Sequence, residues 1–117
     1  MDIKAYRASK DILFADYIKE EQRTTDKEKY SVSLPEVGNV TAYLYGPKNQ
    51  SRMTDHPVVA VFHGGGFVLG YPEQEGLYAR KIAEQLGCVV VVLDYKLAPE
   101  FPFPLPIISS YDFLCHL

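Results

Sequence analysis

Cysteine is scarce in this chain. Its two cysteines, Cys88 and Cys115, are too few for a disulfide framework and lack zinc-type spacing. Both are expected to be free, packed thiols in a reducing compartment, and neither metal nor cofactor is expected. Long apolar runs are missing too. None approaches the roughly 20 residues needed to cross a bilayer, and Met1-Asp2-Ile3-Lys4-Ala5-Tyr6-Arg7 lacks the uninterrupted apolar core of a signal peptide. Nor is there an excess of charge, with 12 Lys+Arg against 15 Asp+Glu and a net charge of −3. A basic patch or stripe for nucleic acid or an anionic membrane is therefore excluded. The mixed-sign cluster from Lys19 to Lys29 reads as solvated surface. Internal repeats and low-complexity segments are absent. What remains is a soluble cytoplasmic protein of one domain, or part of one.

The material for a core is present: 47% of the 117 residues are hydrophobic, including nine Tyr and six Phe. From Ile3 to about Glu21, Tyr6, Leu13, Tyr17 and Ile18 recur at roughly helical spacing. This predicts a helix that either packs on the domain or caps a site, broken at Thr24-Thr25-Asp26. Lys29 to Val37 alternates as a half-buried strand, and Val40 to Tyr45 is a second strand of β-branched and aromatic residues. The short Gly38-Asn39 connection predicts an antiparallel hairpin. Lys48 to His56 is polar and reads as a surface loop.

After that loop the pattern changes. Val58 to Phe62 and Cys88 to Leu93 are continuous apolar runs, which suit parallel strands covered on both faces. Between them, Glu73 to Leu86 carries Tyr78, Ile82 and Leu86 four residues apart, with Ala79 and Ala83 beside them. Glu73 and Glu75 suit the positive end of a helix, and Gly87 suits a left-handed C-cap. The unit is therefore βαβ. Prolines at 99, 102, 104 and 106 then predict a stiff extended loop. Pro106 suits the first turn of a last helix, on which Ile107, Ile108, Tyr111, Leu114 and Cys115 share a face.

Glycine is concentrated in His63-Gly64-Gly65-Gly66-Phe67, at the carboxyl end of the first of these apolar strands. In open α/β sheets that is where ligands bind. Consecutive glycines are costly to order, and are kept where dihedrals are unusual or where a ligand must reach the main chain. Phosphate cradling fits poorly. G-x-G-x-x-G would need glycine where Leu69 stands, and Gly65…Gly70 is followed by Tyr71-Pro72, not Lys and Ser/Thr. An oxyanion hole fits better, because acyl transfer places negative charge on a former carbonyl oxygen and backbone N–H donors stabilise it.

The HGGGF stretch at 63–67, followed by Asp94-Tyr95-Lys96-Leu97-Ala98-Pro99-Glu100-Phe101-Pro102-Phe103-Pro104, resembles the hormone-sensitive-lipase branch of the α/β-hydrolases. Those esterases carry an HGGGF/W loop and, one helix and one strand later, a DYRLAPEHPFP segment. The resemblance covers about residues 29–117 and implies the N-terminal part of an α/β-hydrolase fold, an antiparallel hairpin leading into a βαβ unit of a mainly parallel sheet. Residues 1–28 form a helical segment matching part of the family's cap. Gly64, Gly65 and Gly66 are implied as the oxyanion hole, with the N–H groups of Gly65 and Gly66 as donors. His63, Phe67, Asp94 and Tyr95 support the loop, His63 being structural and not a base. Lys96 departs from the family's usual Arg, and the loss of the planar fork weakens the expected anchoring of the loop; Phe101 departs from the usual His and adds apolar packing.

The nucleophile of that family sits on a G-x-S-x-G elbow, and these 117 residues contain none. Ser109 and Ser110 lie in a helical stretch with no strained turn, so they make a poor triad with His63 or His116 and Asp94. The expectation is a hydrolase of short-chain or aryl carboxylic esters acting through an acyl-serine, its chain truncated before the elbow and inactive alone. An arylformamidase-like amide hydrolase, and a non-catalytic binder of small molecules on the same fold, are the alternatives. Without the strand that bears the nucleophile, the strand ending at Phe62 keeps an open edge, to be completed by a C-terminal part or by another chain.

Overall fold

The computed structural model describes residues 2–24, 26–47 and 55–117. The helix α1 spans Ile3–Thr24. Asp2 caps it, its carboxylate accepting the N–H groups of Lys4 (2.9 Å) and Ala5 (3.3 Å). Thr25 and most of the polar stretch read as a surface loop, residues 48–54, lie outside the described residues. Strands β1 (Glu28–Leu34) and β2 (Gly38–Tyr45) form the expected antiparallel hairpin. Its turn, however, is Pro35-Glu36-Val37 and not Gly38-Asn39. Gly38 opposes Leu34 and adopts φ +74, the left-handed residue that returns a three-residue turn into its strand. β1 consequently stops at Leu34.

Next come β3 (Val58–Phe62), a 3₁₀ turn at Pro72–Glu75, α2 (Gly76–Leu86) and β4 (Val89–Asp94). The Gly87 cap has φ +61 and donates its N–H to the Ala83 carbonyl at 3.0 Å. β3 and β4 pair in parallel, but β2 pairs with β4 antiparallel, giving the order β1-β2-β4-β3. The sheet is mixed, and two of its three pairings are antiparallel.

β4 is central, which explains its unbroken valines. Val89, Val91 and Leu93 pack with Val40, Ala42 and Phe113 on one face, while Val90 and Val92 pack with Tyr45, Ala79 and Ala83 on the other. The small alanines of α2 meet the sheet, so Tyr78 and Leu86, on the neighbouring stripe, are exposed. The proline-rich segment is turned and not extended: Phe101 N–H donates to the Leu97 carbonyl and Leu105 N–H to the Pro102 carbonyl. It leads into α3 (Leu105–Leu114), which buries Pro106, Ser109 and Phe113. The apolar stripe of Ile107, Tyr111 and Leu114 lies on the outside. Cys88 is a buried free thiol, but Cys115 is exposed.

α1 is held by polar groups. Ile12 and Leu13 are 79% and 71% exposed, whereas Glu21 is 1% exposed. The Glu21 carboxylate accepts the Tyr45 hydroxyl at 2.8 Å and pairs with the Lys27 ammonium at 2.5 Å. The cluster from Lys19 to Lys29 is therefore not simply solvated: its central carboxylate is an anchor in the protein interior. Burial, then the Glu21 hydrogen bond, pushes the Tyr45 phenol far up. No described helix is long and apolar enough to cross a membrane.

Candidate active site

The glycine loop leaves the carboxyl end of β3 and is fixed first through His63, which is 2% exposed. Its ring stacks on Tyr95, at the end of β4, with centroids 4.4 Å apart. The Tyr95 hydroxyl donates to the His63 carbonyl at 2.8 Å. His63 Nδ1 lies 2.9 Å from the Gly64 carbonyl. A carbonyl only accepts, so Nδ1 is the donor in this contact. Nε2 of the same ring is buried and has no partner among the described residues. The imidazole thus braces the loop. Gly70 makes room for it, because a Cβ there would overlap His63 Nδ1 and the Gly64 carbonyl.

Gly65 (φ +136) and Gly66 (φ +62) then turn the chain. The Gly65 carbonyl accepts the N–H groups of Val68 (3.2 Å) and Leu69 (3.0 Å), which closes a tight loop. Phe67 follows at φ +65, the one described non-glycine residue with positive φ. Such a conformation costs about 1–3 kcal/mol and persists only where surrounding contacts impose it. One of these is the Ala98 N–H, which donates to the Phe67 carbonyl at 2.9 Å. The two sequence motifs are thereby tied together.

Among the described residues, the N–H groups of Gly65, Gly66 and Phe67 donate to no protein acceptor. The loop walls an apolar cavity of about 390 Å³, closed elsewhere by Phe62, Tyr95, Ile107 and Ser110. On its other side a smaller cavity of about 210 Å³ lies against α1, where Arg7, Lys10 and Phe14 face Gly64, Gly65 and Tyr71. The Tyr71 phenol there is pushed up to about 12, by lost hydration and then by its hydrogen bond to Asp11.

Asp94 stands at the same end of β4, but its carboxylate makes no hydrogen bond to the loop among the described residues; Tyr95 provides that link. Lost hydration lifts the Asp94 carboxyl above its ordinary range, Glu73 adds to this, and His63, Lys96 and Lys29 oppose it. The two departures from the family pattern meet each other: the Lys96 ammonium sits 4.9 Å from the Phe101 ring centroid, a cation–π contact. The serines are spent on structure. Ser109 accepts the Lys96 N–H and donates to the Pro106 carbonyl, and Ser110 donates to that carbonyl as well. His116 contacts the Asp112 carbonyl on the exposed end of α3. No hydrogen bond joins either serine to a histidine among the described residues. Arg7 and Gly70, which touch the loop, were missed by sequence reasoning. The pair Gly65…Gly70 was visible as a spacing, but its cause, room for the His63 ring, is not a local signal.

Residues 59–117 match the family of the alpha/beta hydrolase fold, and the chain belongs to that family. Among its curated relatives, esterase LipI of Mycobacterium tuberculosis is 39% identical over 74 residues, which is 63% of this chain and 23% of LipI. Human hormone-sensitive lipase is 31% identical over 90 residues, covering 77% of this chain and 8% of the lipase. Among solved structures, a bacterial heroin esterase superposes with a TM-score of 0.81 at 28% identity, over 98% of this chain and 36% of that one. An esterase from Pyrobaculum calidifontis gives a TM-score of 0.76 at 33% identity, over 97% of this chain and 36% of its own. The chain therefore spans less than a quarter of these curated relatives and just over a third of these structures.

Proposed function

We propose that residues 63–67 are the oxyanion hole of a carboxylic ester hydrolase for small esters, working through an acyl-serine. The observation that carries this reading is the pair of unspent N–H donors on Gly65 and Gly66, on a loop that lines an apolar cavity. In such surroundings a donor aimed at a developing oxyanion contributes about 3–4 kcal/mol to the transition state. A serine Oγ gives its proton to a base and adds to the ester carbonyl carbon, and the carbonyl oxygen takes up negative charge at the glycine amides. The bond to the leaving oxygen then breaks as that oxygen takes up the proton and departs as the alcohol. Water cleaves the acyl-serine in a second addition of the same kind.

No G-x-S-x-G elbow occurs in these residues, and in this reading the nucleophile comes from polypeptide, continuous with the chain or separate from it, that pairs with β3. The exposed β3 ends, Val58 and Phe62, and the outward apolar stripe of α3 support that reading. The 117 residues alone should not turn over p-nitrophenyl acetate. Residues 1–117 joined to the remaining two thirds of the bacterial heroin esterase should do so well above background. A soluble, folded fusion with no turnover would overturn the proposal. Amide hydrolysis is the second reading, favoured by a match to rabbit arylacetamide deacetylase, 35% identical over 92 residues. A p-nitroacetanilide assay on the same fusion separates the two.

A further inference from the structure

The N-terminal helix contributes one side chain whose polar contacts converge on the loop just described. Arg7 Nε and Nη2 both donate to the Val68 carbonyl, at 3.1 and 2.8 Å. Nη2 also donates to the Ala98 carbonyl, and Nη1 meets both Glu100 carboxylate oxygens at 2.9 Å. Val68 and Ala98 flank the hydrogen bond from Ala98 N–H to the Phe67 carbonyl. The guanidinium therefore spans three segments: α1, the exit of the glycine loop, and the proline-rich turn. Its planar fork is what permits two carbonyls and a carboxylate to be held at once. The segment it braces includes Phe67 at φ +65, a backbone state that needs outside contacts to persist. With Ile12 and Leu13 largely exposed, apolar packing does little to seat this part of α1.

We infer that Arg7 is a positioning residue for the glycine loop, and that α1 is in this way a fixed wall of the site and not a free cap. Arg7 touches no reacting atom in this scheme; it acts by holding Phe67 and the N–H groups before it in their positive-φ arrangement. The inference rests on the oxyanion-hole reading for its functional meaning, but the clamp itself is testable without any ester.

Amide hydrogen exchange on the 117-residue chain reads it. In Arg7→Met, the amides of Val68, Leu69 and Ala98 should exchange at least tenfold faster, while the β4 amides of Val90, Val91 and Val92 keep their protection. Arg7→Lys should be accelerated at the same three amides, because one ammonium cannot serve two carbonyls and a carboxylate. Glu100→Gln, which leaves both carbonyl contacts intact, should change them less than threefold. Unchanged exchange in Arg7→Met, wild-type protection in Arg7→Lys, or acceleration spread evenly into β4 would each overturn the inference. Should Arg7→Met fail to fold, Arg7→Lys decides alone: selective acceleration supports the clamp and wild-type protection refutes it. Failure of the oxyanion reading looks different, as loss of ester turnover in the fusion with this exchange pattern intact.

Discussion

Replacing each of the three glycines by alanine should give three different outcomes. A Cβ on Gly65 would collide with the backbone carbonyl of Leu69, and Gly65 sits at φ +136. The dihedral alone costs an L-residue about 1–3 kcal/mol. Relieving the collision opens the turn that the Val68 and Leu69 N–H groups close on the Gly65 carbonyl, at about 1 kcal/mol for each hydrogen bond. Gly65→Ala should therefore lose about 3–5 kcal/mol, a large share of the roughly 5–15 kcal/mol typical of a domain. Gly66 has φ +62 but open space around a Cβ, so Gly66→Ala should lose only about 1–2 kcal/mol. Gly64 has neither a positive φ nor a neighbour within 4 Å, so Gly64→Ala should be neutral to within about 0.5 kcal/mol, or slightly stabilising through the unfolded chain. Urea denaturation followed by far-UV circular dichroism measures all three. Equal losses, or Gly64→Ala as the worst, would refute the loop geometry. One corollary concerns activity: bulk at position 65 breaks the turn as well as the hole, so Gly64→Ala is the cleaner probe of access to the donors.

Three further outcomes are expected. Tyr95→Phe keeps the ring stack on His63 but leaves a buried carbonyl without its donor, and should lose about 1–2 kcal/mol by urea titration. Glu21→Ala leaves the Lys27 ammonium unpaired and the Tyr45 hydroxyl without its acceptor; a loss of about 3–5 kcal/mol is expected in the same assay. Asp94 has its carboxyl raised on folding, so the folded state holds that proton more tightly than the unfolded chain. Its contribution is fully present below the ordinary carboxylate range and is lost as pH rises through the raised value. Asp94→Asn should accordingly gain stability relative to wild type as pH climbs from 3 to 7, and a constant difference across that range would contradict the assignment.

The βαβ unit was legible because each of its signals is local. An unbroken apolar run marks a strand buried on both faces, as β4 proved to be, whereas β3, with the same pattern, lies at the sheet edge and is only partly buried; Gly87 marks a left-handed cap. The sharp turn after β3 was legible for a similar reason, since adjacent glycines mark a backbone of unusual dihedrals. The long-range polar anchors were not. Arg7 finds its partners 61, 91 and 93 residues away, and Glu21 reaches Tyr45 across 24 residues, so nothing near them in the chain marks them out. Apolar periodicity also misjudged α3, whose sheet-facing side is Pro106, Ser109 and Phe113. A small serine is preferred there because its hydroxyl accepts the Lys96 N–H at the end of β4.

The oxyanion hole itself is tested most directly by the amide protons of Gly65 and Gly66 in the fusion that carries a serine nucleophile. A trifluoromethyl ketone, which forms a tetrahedral adduct with serine, places a negative oxygen where the ester oxyanion would develop. Both amide protons should move strongly downfield on adduct formation, while the amides of β1 stay where they were. An adduct that forms while the Gly65 and Gly66 resonances do not move would contradict the oxyanion-hole reading.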